Sequence, residues 1–214
     1  MAFSMNEAFD KFKSNLELSK TETEDVQGKH KAIREFLNGS FSLDDDFLAG
    51  SYARWTKTKP LKDVDIICVL NPDKEKGYLN KPKVLLDDFR SKLITKYGKE
   101  AVPPVNFRSV TVEFIKDEDE AGRDKKVMSI DIVPSFAIGN AAYKIPDMPS
   151  NDWVKTNPQI HADLTTKANE KFDGEWKPLV KMIKKWNEFN GKPIKPSFLI
   201  EVMALDILCP PFSA

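Results

Sequence analysis

Residues 49–70 read AGSYARWTKTKPLKDVDIICVL, and the stretch that decides the fold is DVDIICVL, from Asp63 to Leu70. Its β-branched and apolar residues run up to Asn71-Pro72, the punctuation of a strand end. Asp63 and Asp65 flank a single valine. Successive side chains on a strand alternate faces, so both carboxylates point the same way. Two anions held a few ångströms apart repel, which calls for a positive charge between them.

A third aspartate has the same setting. VMSIDIVPSF, residues 127–136, puts Asp131 in the middle of an apolar strand. An ionised carboxylate buried without a partner is costly, so such residues pair or bind metal, and these three are expected to share one buried site. Oxygen donors suit a hard cation, and a pair of such ions can activate a hydroxyl and hold phosphate oxygens. Asp63, Asp65 and Asp131 are therefore the candidate catalytic and metal-holding residues. Two Mg²⁺ ions, or Mn²⁺ in their place, are the candidate cofactor. Upstream, Gly50-Ser51 forms a turn whose backbone N–H groups and hydroxyl suit a phosphate, glycine allowing close approach. Eleven residues, Tyr52 to Lys62, separate Ser51 from Asp63.

Composition bounds the rest. With 214 residues, 41% hydrophobic and 31% charged, the chain has the make-up of a soluble globular protein with one large domain or two small ones. Lysine plus arginine equals aspartate plus glutamate at 33 each, so no global field concentrates nucleic acid, and strong nucleic-acid binding is not expected. No apolar run is long enough to span a membrane and the N-terminus lacks a signal-peptide pattern, so a cytoplasmic setting without membrane contact is the expectation. Cys68 and Cys209 sit in apolar runs as core thiols, with no disulfide framework or zinc spacing.

Along the chain, Met5, Phe9, Phe12 and Leu16 mark one helix, and Val26, His30, Ile33 and Leu37 a second, with Thr21 and Glu24 as its capping box. His30 reads as a packed residue. A short strand leads through FSLDDDFLAGS, Leu61–Leu70 is a strand, and Leu85, Phe89, Leu93 and Tyr97 mark a further helix. Val105–Ile115 and Val127–Val133 are strands around a charged, solvated turn from Lys116 to Lys126. After Pro134 a Pro- and Asn-rich connection leads to helices over Gln159–Asn169, Trp176–Phe189 and Ser197–Cys209. In the middle one, Trp176, Leu179, Val180, Ile183 and Trp186 take one face beside a stripe of Lys177, Lys181 and Lys184.

Gly-Ser, a loop of about a dozen residues, Asp-x-Asp on a strand and a later Asp on a neighbouring strand resemble the DNA polymerase β-type nucleotidyltransferases. The wording GSYARWTKTKPLKDVDIICVL is similar to that of the cGAS/DncV-like nucleotidyltransferases, the bacterial relatives of cyclic GMP-AMP synthase and oligoadenylate synthetase. The likeness runs from about Phe41 to Leu208. It implies an α+β fold, a mixed sheet flanked by helices plus a C-terminal helical lobe. The division expected is a catalytic core with N-terminal helices over 1–140, and a linker and helical lobe over 141–214.

PSFLIEVMALDIL resembles the segment that sets a polar and an aromatic residue against the nucleotide, here Ser197 and Phe198; the phenylalanine departs from the family's usual tyrosine. LVKMIKKWNEF resembles the helix whose cations hold the triphosphate, matching Lys181 and Lys184. His161 reads as structural. The activity implied is template-independent joining of ribonucleoside triphosphates, ATP among them, into a cyclic di- or trinucleotide second messenger of antiphage signalling. Pyrophosphate is the by-product, and a regulatory protein partner fits the same picture.

Two rivals stand beside it: transfer of a nucleotide to RNA or protein, and a catalytically silent nucleotide-binding domain. The segment CPPFSA follows the last helix, where the family continues with more helices. An underfilled helical lobe, an exposed apolar patch and reduced or absent activity are the expectation.

Overall fold

The protein is described from a computed structural model covering residues 4–118 and 124–209, with backbone alone over 115–118 and 124–127. Its elements in chain order are α1 (Met5–Leu16), α2 (Lys20–Asn38), β1 (Leu43–Ala49), the single turn α3 (Gly50–Ala53), β2 (Asp63–Leu70), α4 (Pro82–Tyr97), β3 (Val110–Glu118), β4 (Asp124–Ala137), β5 (Tyr143–Asp147), β6 (Asp152–Thr156), α5 (Pro158–Lys171), α6 (Trp176–Phe189) and α7 (Phe198–Leu208). The expected mixed sheet flanked by helices is present. The centre of the expected charged turn, residues 119–123, lies outside the described residues.

Two compact units form from discontinuous stretches. The sheet unit comprises Lys20–Gly50 and Leu61–Pro158; the helical unit comprises Met1–Ser19, Ser51–Pro60 and Gln159–Ala214. A single cut near residue 140 does not describe this division, because α1 and the 51–60 loop group with the C-terminal helices.

In the sheet unit the strand order is β1-β2-β4-β5-β6, with β3 also paired to β4. β2 and β4 run parallel, Val64 opposite Ile130 and Ile66 opposite Ile132. β1 is antiparallel to β2 and β3 antiparallel to β4. The even-numbered side chains make one sealed face: Val64, Ile66, Cys68, Leu70, Val110, Val112, Ile130 and Ile132 are all buried. α2 covers this side, and its His30 Nε2 lies 2.7 Å from Asp46 Oδ1 on β1, which fits the expected packed histidine. α4 packs against β3, β4, β5 and β6 and buries Leu85, Leu86, Phe89 and Leu93. Both cysteines are buried free thiols, and burial pushes the Cys68 thiol far up, with the Asp46 charge adding to it.

Two local expectations are corrected. The stretch after Pro134, expected as a connection, contains the β5–β6 hairpin. Pro146 had argued against a strand, yet β5 meets β4 only at Phe136–Lys144 and Ala137–Tyr143, so the missing proline N–H lies beyond that ladder. Thr21 lies inside α2, which begins at Lys20. A capping box sits instead on α1: the Ser4 hydroxyl accepts from the Glu7 N–H at 3.3 Å, and the Ser4 N–H donates to Glu7 Oε2 at 2.7 Å.

In the helical unit a core of Ala168, Trp176, Val180, Ile200, Ala204, Leu205 and Cys209 gathers α5, α6 and α7. The apolar face expected on α6 is redrawn. Leu179 and Trp186 are exposed, Phe189 is 90% exposed, and Lys181, Lys184 and Asn187 take buried positions. Two of those lysines turn inward because carboxylates meet them there. Val202, Met203 and Ile207 of α7 are exposed as well. No helix among the described residues is long and apolar enough to cross a membrane.

The sealed face carries the sheet unit's stability. Ile130→Ala, which empties a fully buried position on the central strand, is expected to lower unfolding free energy by about 2–5 kcal/mol, measured by urea denaturation.

Candidate functional site

The odd-numbered side chains of the sheet make the second face. Toward the strand ends Ala49, Ile67 and Val69 close it, with Phe47, Val133 and Tyr143 packed against them. At the start of β2 it opens: Asp63 is exposed, and Asp65 and Asp131 are half-buried. The expectation of deeply buried carboxylates is therefore corrected. Partial exposure lets water meet part of the desolvation cost of these carboxylates.

Register brings the carboxylates together. Asp65 is the direct partner of Asp131 across the parallel pair, and Asp63 is the partner of Ser129. Directly opposed side chains share a face with Cβ atoms about 5 Å apart. The row continues on both sides: Ala49 of β1 opposes Asp65, and Thr111 of β3 opposes Asp131. The Thr111 hydroxyl donates to Asp131 Oδ1 at 2.5 Å. Glu113, opposite Ser129, adds a carboxylate to the Asp63 row.

Gly50 is fixed by this arrangement. A Cβ built on it would lie 1.7 Å from Asp65 Oδ2 and 2.7 Å from its Cγ, and its φ is +61°. The Asp65 carboxylate occupies the space a side chain would need, in a backbone conformation that favours glycine. Gly50, Asp65 and Asp131 thus form one cluster in the sheet unit, with Asp63 one register step away on the same face.

The donor set fits a divalent cation. Among the described residues no group of three or more His, Cys, Asp or Glu side chains is placed to hold a metal ion. Mg²⁺ does not require one, since it commonly takes one or two carboxylates and completes its shell with water and substrate phosphates. Asp65 and Asp131, paired, half-exposed and offering only oxygen, meet that description.

The other candidate residues belong to the helical unit. Ser51 follows Gly50 in α3, and its carbonyl accepts the Thr56 N–H at 3.0 Å. Lys181 is 5% exposed with Nζ 2.6 Å from Glu17 Oε1. Lys184 donates to Glu201 Oε1 at 2.6 Å and to the Thr56 carbonyl at 3.1 Å. Ser197 precedes α7 and is exposed. Phe198 is half-buried, with the Arg54 guanidinium 4.9 Å from its ring centroid and the His161 ring edge-on at 4.9 Å.

Arg54 and Glu201 went unnoticed in the sequence. Arg54 Nε donates to Glu201 Oε2 at 2.7 Å and its Nη2 to Oε1 at 3.0 Å, a bidentate pair. The available signal was a charge inside FLIEVMALDIL. Glu201 is 1% exposed, and burial alone would raise its carboxyl. The Arg54 hydrogen bonds and the Lys184 and Arg54 charges outweigh burial and hold it below the usual carboxylate range. Lys184 is pushed down by burial, which outweighs its Glu201 contact while Arg54 opposes it. Two cations thus hold Glu201 down, while burial, helped by the Arg54 and Lys181 charges, lowers Lys184.

Comparison with known proteins follows this geometry. A family model described as Second Messenger Oligonucleotide or Dinucleotide Synthetase domain matches residues 3–169. The chain belongs to that family. Within it, a cyclic AMP-AMP-AMP synthase of an Acinetobacter species is 31% identical over 204 residues, covering 89% of this chain and 54% of that protein. The chain spans about half the length of the curated relatives it matches. Solved structures show the same fold. CdnG of Bradyrhizobium diazoefficiens in complex with GTP has a TM-score of 0.70 at 16% identity, covering 95% of this chain and 69% of that one. CdnC of E. coli MS115-1 in a complex with HORMA-deltaN has a TM-score of 0.63 at 22% identity, over 93% and 62%. The synthetase-domain fold and the cGAS/DncV-like likeness read from the sequence therefore hold.

Two outcomes are expected. Gly50→Ala loses about 1–2 kcal/mol to the left-handed backbone alone, and more from displacing Asp65, in chemical denaturation. Glu201→Gln leaves two cations without their anion and is expected to cost about 3–5 kcal/mol. Glu201 also fixes a pH signature. Its folded value lies below the ordinary 4.5, so its contribution is full above that pH and is lost as acid drives the pH through the folded value. The acid-side fall in melting temperature should be shallower in Glu201→Gln than in the wild type.

Proposed function

We propose that this synthetase-domain chain carries the site of a template-independent nucleotidyltransferase that joins ribonucleoside triphosphates into a cyclic di- or trinucleotide. The observation that carries the reading is the register pairing of Asp65 with Asp131, with Gly50 packed against the Asp65 carboxylate. The Acinetobacter relative's name supports ATP as one substrate.

Asp63, Asp65 and Asp131 supply oxygen ligands for Mg²⁺ or Mn²⁺, which when bound would offset phosphate charge and help an acceptor hydroxyl ionise. Asp131 faces the acceptor hydroxyl. That oxygen bonds to the donor's α-phosphorus as the bond to the pyrophosphate oxygen breaks; positioning and charge stabilisation provide the rate. Gly50 and Ser51 meet the phosphate tail. Lys181 and Lys184 provide its cations, with Glu17 and Glu201 neutralising them until nucleotide arrives. Ser197 and Phe198 contact sugar and base, stacking needing only the phenyl face. A cytoplasmic site of action supplies the triphosphates, and the HORMA complex of CdnC supports a regulatory protein partner.

The test is incubation with all four ribonucleotides and Mg²⁺ or Mn²⁺, followed by mass spectrometry, beside Asp65→Asn and Asp131→Asn. Phosphatase-resistant cyclic products lost in both variants are expected. Label on added RNA or protein instead, or nucleotide binding without turnover, would overturn the reading.

A further inference from the structure

Thr111 lies on β3, a strand that contributes none of the residues singled out from the sequence. Its register partner is Asp131, and its hydroxyl donates to Asp131 Oδ1 at 2.5 Å. A hydroxyl that donates to a carboxylate makes a charge-assisted hydrogen bond, the stronger class of such bonds. Threonine suits the task because two heavy atoms on Cβ stiffen χ1 and hold the hydroxyl in place. Its neighbours Val110 and Val112 are fully buried on the opposite face, so the strand beneath the hydroxyl is anchored.

We propose that Thr111 is a positioning residue for Asp131. By holding Oδ1 it fixes the rotation of the carboxylate, so that the other oxygen is offered to the cation in one orientation. The constraint complements the one on the neighbouring carboxylate. Asp65 is bounded by the Gly50 backbone and Asp131 by the Thr111 hydroxyl, one on each side of the β2–β4 pair. This rests on the reading of Asp131 as a metal-holding residue. Loss of such an outer partner typically lowers metal affinity about 10- to 100-fold.

The experiment compares Thr111→Val, which keeps the shape without the hydroxyl, with Thr111→Ser, which keeps the hydroxyl, and with Asp131→Asn. Mn²⁺ binding is followed by electron paramagnetic resonance with a non-hydrolysable ATP analogue present, and the metal-free melting temperature is recorded for each. Thr111→Val is expected to bind Mn²⁺ about 10- to 100-fold more weakly at a nearly unchanged melting temperature, with Thr111→Ser close to the wild type. Should Thr111→Val not fold, Thr111→Ala takes its place against Thr111→Ser. Wild-type Mn²⁺ affinity in the hydroxyl-free variant, with Asp131→Asn weakened, overturns the positioning role alone. Equal affinity in the wild type and Asp131→Asn, or no binding in either, overturns the reading of the site with it.

Discussion

The parallel pairing of β2 with β4 is the constraint from which the site follows. Val64, Ile66, Cys68 and Leu70 must meet Ile130 and Ile132 on the sealed face, and that requirement places Asp65 opposite Asp131 on the other. A slip of one residue would turn every odd side chain inward, setting carboxylates against the apolar α2 and α4 side and exposing the isoleucines. The hydrophobic core and the acidic row are therefore fixed by a single register. What holds the protein together also sets the spacing of its charges.

The helical unit uses charge differently. On α6 Trp176 and Val180 reach the core, but Lys181 and Lys184 turn inward as well while Trp186 and Phe189 face out, a partial inversion of an ordinary amphipathic helix. The inversion is tolerated because each buried lysine meets a carboxylate, Lys181 with Glu17 and Lys184 with Glu201. Arg54 adds a second cation to Glu201, and with Lys184 it leaves a local excess of one positive charge in low dielectric.

Much of this was legible in the sequence, for physical reasons that differ by element. DVDIICVL and VMSIDIVPSF announced themselves because a charge inside a β-branched run is unusual enough to need explaining. The helical spacing of α4 and α6 gave their extents closely. The β5–β6 hairpin was hidden by Pro146 and Pro149, since a proline's objection to a strand depends on which neighbour the strand lacks. The inward lysines could not be read, because periodicity assigns a charged residue to solvent unless its counter-ion is known. Glu17 lies 164 residues from Lys181. Thr111 was invisible for a related reason: its partner is set by strand register, and VTVEF carries no mark of which threonine faces a carboxylate.

Departures from local preference gather on one row of the sheet. Gly50 sits at positive φ against a carboxylate, and two like charges stand opposite one another, each arrangement destabilising when taken alone. Elsewhere in the sheet unit the sequence builds an ordinary core, with β2 buried from Ile66 to Leu70 and α4 burying Leu85, Leu86, Phe89 and Leu93. Along Ala49, Asp65, Asp131 and Thr111 the sheet gathers two such departures within one row, and departures of this kind are common at functional sites. A cation bridging Asp65 and Asp131 would turn their repulsion into attraction.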